Sequence, residues 1–340
     1  MTRTSTVRRL ATATAYGGGS VVLGGAALVT LLREEARAAR RNIEARTTKG
    51  DPPSGDGVYG RGRGKPLVLV VLGDSSAVGL GVTRAAETPG VLIAAALTEL
   101  AERPVRLVRL AKSGAKSPDL DAQVDKALAE HPDVALIMIG ANDVTSRVRP
   151  ALSVRHLADA VHRLTAAGCE VVVGTCPDLG TIRPIAQPLR TLARRWSRQM
   201  AAAQTVAVVE AGGRTVSLGS VLGPAFASDR AMFSIDEFHP SAHGYAQAAA
   251  VLLPSVADAV GVWPAAADRG RRPIRRGTVK PVAQAAARAA RRTGTEVQPA
   301  EVRGSDTGPW GAWALLRRRR PPEIPTPEQA EESAESTVIA

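Results

Sequence analysis

Little in this chain of 340 residues is aromatic and little is sulfur: Phe, Trp and Tyr make up 3% of it, and there are two cysteines and five histidines. Each scarcity removes a class of function. Single-strand nucleic-acid readers combine basic patches with aromatic side chains that stack on bases. Here the formal charge of +12 comes without that interleaving, and many Arg residues lie in two end segments, around Arg33 to Arg46 and from Arg269 to Arg320. Nucleic acid is therefore not an expected partner. No His/Cys cluster has the spacing of a metal site, so no metal is expected. Cys169 and Cys176 bracket "CEVVVGTC", which reads as a buried strand. That would hold their Cα atoms roughly 23 Å apart at about 3.3 Å per residue, whereas a disulfide needs less than about 7 Å. They read as small buried hydrophobes.

What the chain does have begins with an apolar run. From Leu10 to Leu32 no residue is charged, and Arg8 and Arg9 precede it. As a helix it is long enough to cross a hydrocarbon core of about 30 Å. A membrane span is the favoured reading of residues 1–33. A cleaved signal peptide, leaving a secreted protein, and a helix packed on the domain are the rivals. Cleavage is disfavoured because "REEARAARR" follows at once where a small-residue processing site would stand. The Arg excess after the run favours a cytoplasmic C-terminal domain. Residues 34–65, basic and then rich in Gly and Pro, read as a linker that transmits little structure.

From residue 66 to 263 the chain alternates. "LVLVVL" (67–72), "VRLVRL" (105–110), "VALIMI" (134–139), "EVVVGT" (170–175) and "VAVV" (206–209) look like strands buried on both faces. Between them lie helical patterns: "PGVLIAAALTELAE" with Pro89 in its first turn, "SPDLDAQVDKALAE", and "SVRHLADAVHRLTAAG", which ends at a glycine. Such alternation implies an α/β fold, a parallel sheet covered on both faces. In open sheets of this kind ligands bind at the carboxyl ends of the strands.

Several strand ends carry chemistry. "LVLVVL" runs straight into Gly73-Asp74-Ser75-Ser76. A serine nucleophile needs a base in hydrogen-bond reach and a third group that fixes the imidazole tautomer. "FSIDEFHPSAHGYAQAAAVLLP" supplies both, with Asp236 and His239 three apart and Pro240 opening an apolar helix. Taken singly, Ser75 is a turn residue and His239 a cap; together they are not explained so. Gly114 in "RLAKSGAKS" can bring a backbone N–H to an oxyanion without a Cβ in the way, and Asn142 in "LIMIGAND" offers a side-chain amide. Acyl transfer needs such donors where negative charge develops.

These four blocks, Ser75 in "GDSS", Gly114 in "SGA", Asn142 in "GAND", and Asp236 with His239 in "DEFHP", resemble in order those of the SGNH hydrolases, also called the GDSL esterase/lipase family. The resemblance covers roughly residues 66–261. It implies a three-layer α/β/α sandwich resembling flavodoxin, with Ser75 as nucleophile, His239 as general base and then acid, and Asp236 orienting the imidazole. The oxyanion hole would be the Ser75 and Gly114 amides with the Asn142 side chain. It implies no organic cofactor. Ser76 departs from the leucine of the family name, at a position that varies.

The substrate is not written in the motif. Relatives of this kind act on carboxylic esters, thioesters, acetylated sugars or lipids, so a small-molecule or lipid ester is the expected partner. "PDLGTIRPIAQPLRTLARR" is the candidate substrate-facing segment. Its Arg183 and Arg190 read as solvated charges before they read as anion contacts. An acyltransferase on the same site, and a silent membrane-tethered binding protein, are the alternative functions. Residues 264–340 turn rich in Ala, Arg, Pro and Glu and read as a disordered tail, basic and then acidic. In it, Trp310, Trp313 and Arg317 to Arg320 suit an anionic membrane surface as well as a free tail.

Overall fold

The computed structural model describes residues 27–61, 64–262 and 296–297. The chain divides into two units, residues 1–300 and 301–340, and every described residue belongs to the first. The apolar segment up to position 26, and the tail apart from residues 296–297, therefore lie outside the described residues. Among the described residues no helix is long and apolar enough to cross a membrane.

Why the strand runs are unbroken stretches of aliphatics is visible in β2 (Leu67–Gly73), where every residue is buried. Leu67, Leu69 and Val71 enter one core, and Val68, Val70 and Leu72 enter the other. Successive side chains leave opposite faces of a strand, so a strand covered on both sides has no polar positions to offer. The first core is closed by Ile93 and Leu97 of α3 (Pro89–Ala101) and by Leu252 and Val256 of the helix Ala242–Ala259. The second is closed by Leu120 and Val124 of α4 (Leu120–Ala129) and Leu157 and Val161 of α6 (Pro150–Ala166). Fully burying one such side chain stabilises the fold by roughly 1.5–3 kcal/mol. Two cores on one sheet make three layers.

Around β2 the sheet continues with β1 (Gly57–Tyr59), β3 (Val105–Arg109), β4 (Val134–Met138), β5 (Glu170–Gly174), β6 (Arg214–Val216) and β7 (Glu296–Val297), in the order β1-β3-β2-β4-β5-β6-β7. Strands β2 to β6 are parallel, and β1 and β7 are antiparallel edges. The parallel strands, taken in chain order, stand 2-1-3-4-5, the flavodoxin-like arrangement. The chain leaves β2 toward β3 on one side and then crosses to β4 on the other. The crevice of this switch point opens at the carboxyl end of β2, where Ser75 follows.

Three stretches differ from the sequence-based expectations. "VAVV" is no strand: residues 206–209 close the helix α7 (Leu189–Glu210), and all four are buried. Burial on every side made that end uniformly apolar, a pattern that periodicity cannot separate from a strand. The fifth parallel strand is the three-residue β6, whose Arg214 is paired with Asp258 and whose Thr215 is buried. Residues 34–65, expected to be a linker, hold structure: a helix, α1, runs over 27–46, and β1 pairs with β3. Arg109 draws this stretch in, donating from its amide to Asp56 and from its guanidinium to the carbonyl of Pro52. In the tail, β7 adds to the edge at β6.

Candidate active site

The turn after β2 starts with a backbone that only glycine can adopt. Gly73 has φ +132°, and a Cβ there would lie 1.8 Å from the Met138 carbonyl oxygen of β4. That close approach lets the Asp74 amide donate to the same oxygen at 3.0 Å. Gln123 of α4, itself buried, satisfies Gly73 twice: its Oε1 accepts from the Gly73 amide at 2.7 Å and its Nε2 donates to the Gly73 carbonyl at 3.0 Å. Asp74 then caps the short helix α2 (Ser75–Val78), accepting through Oδ1 from the amide and the hydroxyl of Ser76. So Ser76 serves the cap of the turn. Asp74 is buried, and burial first of all raises its pKa.

Neighbouring strand ends are tied to this turn. The Lys112 amide after β3 donates to the Gly73 carbonyl at 3.1 Å. Asn142, in α5 (Ala141–Thr145) beyond β4, donates from Nδ2 to the Ala115 carbonyl at 3.1 Å. Asp143 beside it is fully buried and accepts from the Ser117 amide and the Ser153 hydroxyl, fixing the loop that holds Gly114. Gly114 has φ +79°, and a Cβ there would meet nothing within 4 Å. The left-handed backbone favours glycine here, and no protein atom crowds the position.

Opposite stands a loop built around one carboxylate. Asp236 Oδ1 accepts from the amides of Phe238 and His239, both at 2.9 Å, and from the Ser234 hydroxyl at 2.8 Å. These bonds to its own loop form an Asx-type turn. The Ser234 amide closes the loop on the His239 carbonyl, and the apolar helix opens at Ala242 with Ser241 as its cap, two residues past the expected Pro240. The turn aims His239 so that Nδ1 lies 2.6 Å from Asp236 Oδ2 and Nε2 lies 3.1 Å from Ser75 Oγ. An ionised carboxylate only accepts, so the proton belongs on Nδ1, and Nε2 presents its lone pair to the serine hydroxyl. Burial alone would raise the Asp236 pKa, but the bond and charge of His239 and the two loop amides outweigh it and hold the carboxyl well below its usual range.

Beside Ser75 and His239 opens a cavity whose empty space, part of it open to solvent, totals about 820 Å³. Its wall is mostly apolar and includes Met138, Leu179, Ile182, Leu218, Leu222 and Phe226. Leu179 and Ile182 come from the segment singled out in the sequence as substrate-facing. Arg183 and Arg190 border a separate polar groove with Gln187 and Arg194. Gly114 and Asn142 are not among the residues lining the apolar cavity. Among the described residues no group of His, Cys, Asp and Glu could hold a metal ion.

Sequence reasoning missed the glutamines. Gln204 of α7 repeats the device of Gln123, accepting from the Cys176 amide at 2.7 Å and donating to the Ile139 carbonyl at 2.9 Å, across the ends of β4 and β5. A signal for Gln123 was present: it sits on the stripe 120, 123, 124, 127 of α4, whose other members are apolar and buried. Gln204 is likewise embedded in the apolar end of α7.

The GDSL-like lipase/acylhydrolase family pattern matches residues 71–247. A GDSL-like esterase of Mycobacterium tuberculosis is 46% identical over 222 residues, covering 62% of this chain and 71% of that protein. Among solved structures, that of TesA is similar with a TM-score of 0.45 at 22% identity, covering 57% of this chain and 98% of that one. A lipase/acylhydrolase from Enterococcus faecalis has a TM-score of 0.44 at 19% identity, covering 56% and 95%.

Proposed function

The chain belongs to the GDSL-like lipase/acylhydrolase family and is an ester hydrolase; on that premise we propose that Ser75, His239 and Asp236 carry the reaction on carboxylic esters. The observation that carries this reading is the row of hydrogen bonds from Asp236 through His239 to Ser75. Ser75 Oγ attacks the ester carbonyl as His239 Nε2 takes its proton, while Nδ1–H stays on Asp236 and the imidazolium formed is stabilised there. The oxyanion is received by the Ser75 and Gly114 amides and by the Asn142 side chain. At the first position of α2 the Ser75 amide has no partner within the helix, and Asn142 Nδ2 has a second proton beyond the one given to Ala115. Collapse passes the proton from His239 to the leaving alkoxide and leaves an acyl-serine. Water, deprotonated by the same nitrogen, releases the acid. The apolar cavity suits an acyl chain, since covering its wall removes apolar surface from water.

The test is Ser75→Ala. Hydrolysis of a short-chain p-nitrophenyl ester and labelling by a fluorophosphonate probe should both disappear, with the thermal transition almost unchanged. Full activity in that variant would overturn the assignment.

The uncharged segment Leu10 to Leu32 serves, on this reading, as a membrane anchor. Its last residues support it: Leu28, Val29 and Leu31 of α1 are about half-exposed, which favours an apolar partner for that end. Full-length protein should then resist high-salt and alkaline extraction from membranes. Recovery in the soluble fraction at intact mass would mean no span, and a shortened chain outside the cell would mean a signal peptide.

A further inference from the structure

Asp236 is held by more than its own loop. Thr47, 189 residues earlier in the chain and just past α1, places Oγ1 3.0 Å from Asp236 Oδ2. That is the oxygen that receives His239 Nδ1–H. A threonine hydroxyl has one proton, and two acceptors are in reach, Asp236 Oδ2 and the Ile43 carbonyl at 2.8 Å. The Ile43 carbonyl already accepts from the Thr47 amide, also at 2.8 Å. The carboxylate is charged and buried, and if the proton pointed elsewhere an oxygen lone pair would face it at 3.0 Å. The hydroxyl therefore donates to Asp236.

With Thr47 the carboxylate has five donors: Phe238, His239 and Ser234 on Oδ1, His239 Nδ1 and Thr47 on Oδ2. Without it, Oδ2 keeps the imidazole alone. The helix that delivers Thr47 is fastened along its length. Glu35 Oε2 accepts from the amide of Leu189 at the start of α7, at 3.1 Å, Ala39 is buried, and Arg46 pairs with Glu237 at 3.6 Å. Glu237 stands directly after Asp236 and has φ +55°, so the strap grips the Asx turn at two consecutive residues.

We propose that Thr47 is a positioning residue for the reaction: α1 straps the domain and its terminal hydroxyl fixes the Oδ2 that orients His239. This rests on the reading of Ser75, His239 and Asp236 given above. Hydrogen bonds to buried charges are about twice as strong as neutral ones, and a misplaced orienting carboxylate impairs proton transfer more than ester binding.

The experiment compares Thr47→Val, Thr47→Ser and Ser75→Ala in the full-length chain, with a short-chain p-nitrophenyl ester and a thermal melt. Valine keeps the shape of threonine without the proton, and serine keeps the proton. Thr47→Val should lower kcat by about 10-fold with KM and the melting temperature little changed, and Thr47→Ser should stay close to the unmodified chain. Wild-type kcat in Thr47→Val overturns the proposal. So does equal impairment of the Val and Ser variants, or a fall confined to the melting temperature, each of which would make Thr47 a packing residue. An inactive Ser75→Ala beside a fully active Thr47→Val removes only the role of Thr47, whereas an active Ser75→Ala removes the reading of the site.

Discussion

The two halves of the site are held by different means. Ser75 leaves an inner strand of the sheet, and its turn is placed by bonds between adjacent strand ends, Asp74 to Met138 and Lys112 to Gly73, and by Gln123 of α4 to both sides of Gly73. His239 and Asp236 sit on a loop whose bonds are mostly internal, with one further donor arriving from Thr47 at the opposite end of the chain. A serine on the sheet inherits the rigidity of two cores. A histidine on a loop depends on the bonds of that loop, many of which go to Asp236. Substitutions among the groups that hold the loop should therefore disturb chemistry before stability, and those among the groups that hold the turn of Ser75 should do the reverse.

The largest effect expected of that contrast is at Asp236. Asp236→Asn replaces an acceptor with a donor facing Nδ1, so the imidazole adopts the wrong tautomer and kcat should fall about 10⁴-fold with the melt preserved. A loss under tenfold in steady-state kinetics would mean that the loop half does not depend on its carboxylate.

On the sheet side, Gly73→Ala forces a Cβ onto the Met138 carbonyl and should cost about 3 kcal/mol or more in denaturant unfolding. A stable Gly73→Ala variant would show that the strand ends can move apart and the contrast would fail. Asn142→Ala lies between the halves. It should lower kcat by on the order of 10²- to 10³-fold with a smaller change in KM, and an unaffected kcat would move the oxyanion hole elsewhere.

Gln123→Leu leaves the buried amide and carbonyl of Gly73 without their side-chain partner, a loss of about 1–3 kcal/mol in unfolding free energy. Its loss of activity should follow its loss of stability. The smallest effect is at the cysteines: both are buried and free, and burial first of all pushes the Cys169 thiol up to about 12 and Cys176 well above its ordinary value. A thiol reagent at pH 8 should label neither in the folded protein and both after denaturation. Labelling in the native state would show that the sheet opens at β5.

How much of this was legible beforehand follows the same division. Strands β2, β4 and β5 could be read directly, because burial on both faces leaves a run of aliphatics, while β3 showed as valine and leucine alternating with arginine; the runs of β2, β3 and β4 are followed within a few positions by Ser75, Gly114 and Asn142. β6 could not be read: three residues with an arginine and a threonine carry no period, and the apolar end of α7 imitated the missing strand. The pairing of Asp236 with His239 was visible because an Asx turn is local in sequence. Gly114 stood out for its place after a strand, but its positive φ could not be read from the sequence.

The sequence by itself determined the alternation of strands and helices, the order of the four blocks and hence the fold and the family, because each is written within a dozen residues. Only the tertiary structure decided what lies between distant segments. It made a strand of residues 57–59, turned the expected linker into a strap, put Gln123 and Gln204 under the strand ends, and set Thr47 against Asp236. The physical reason is that a buried polar group must find a partner, yet nothing in its local sequence says from which part of the chain that partner will come.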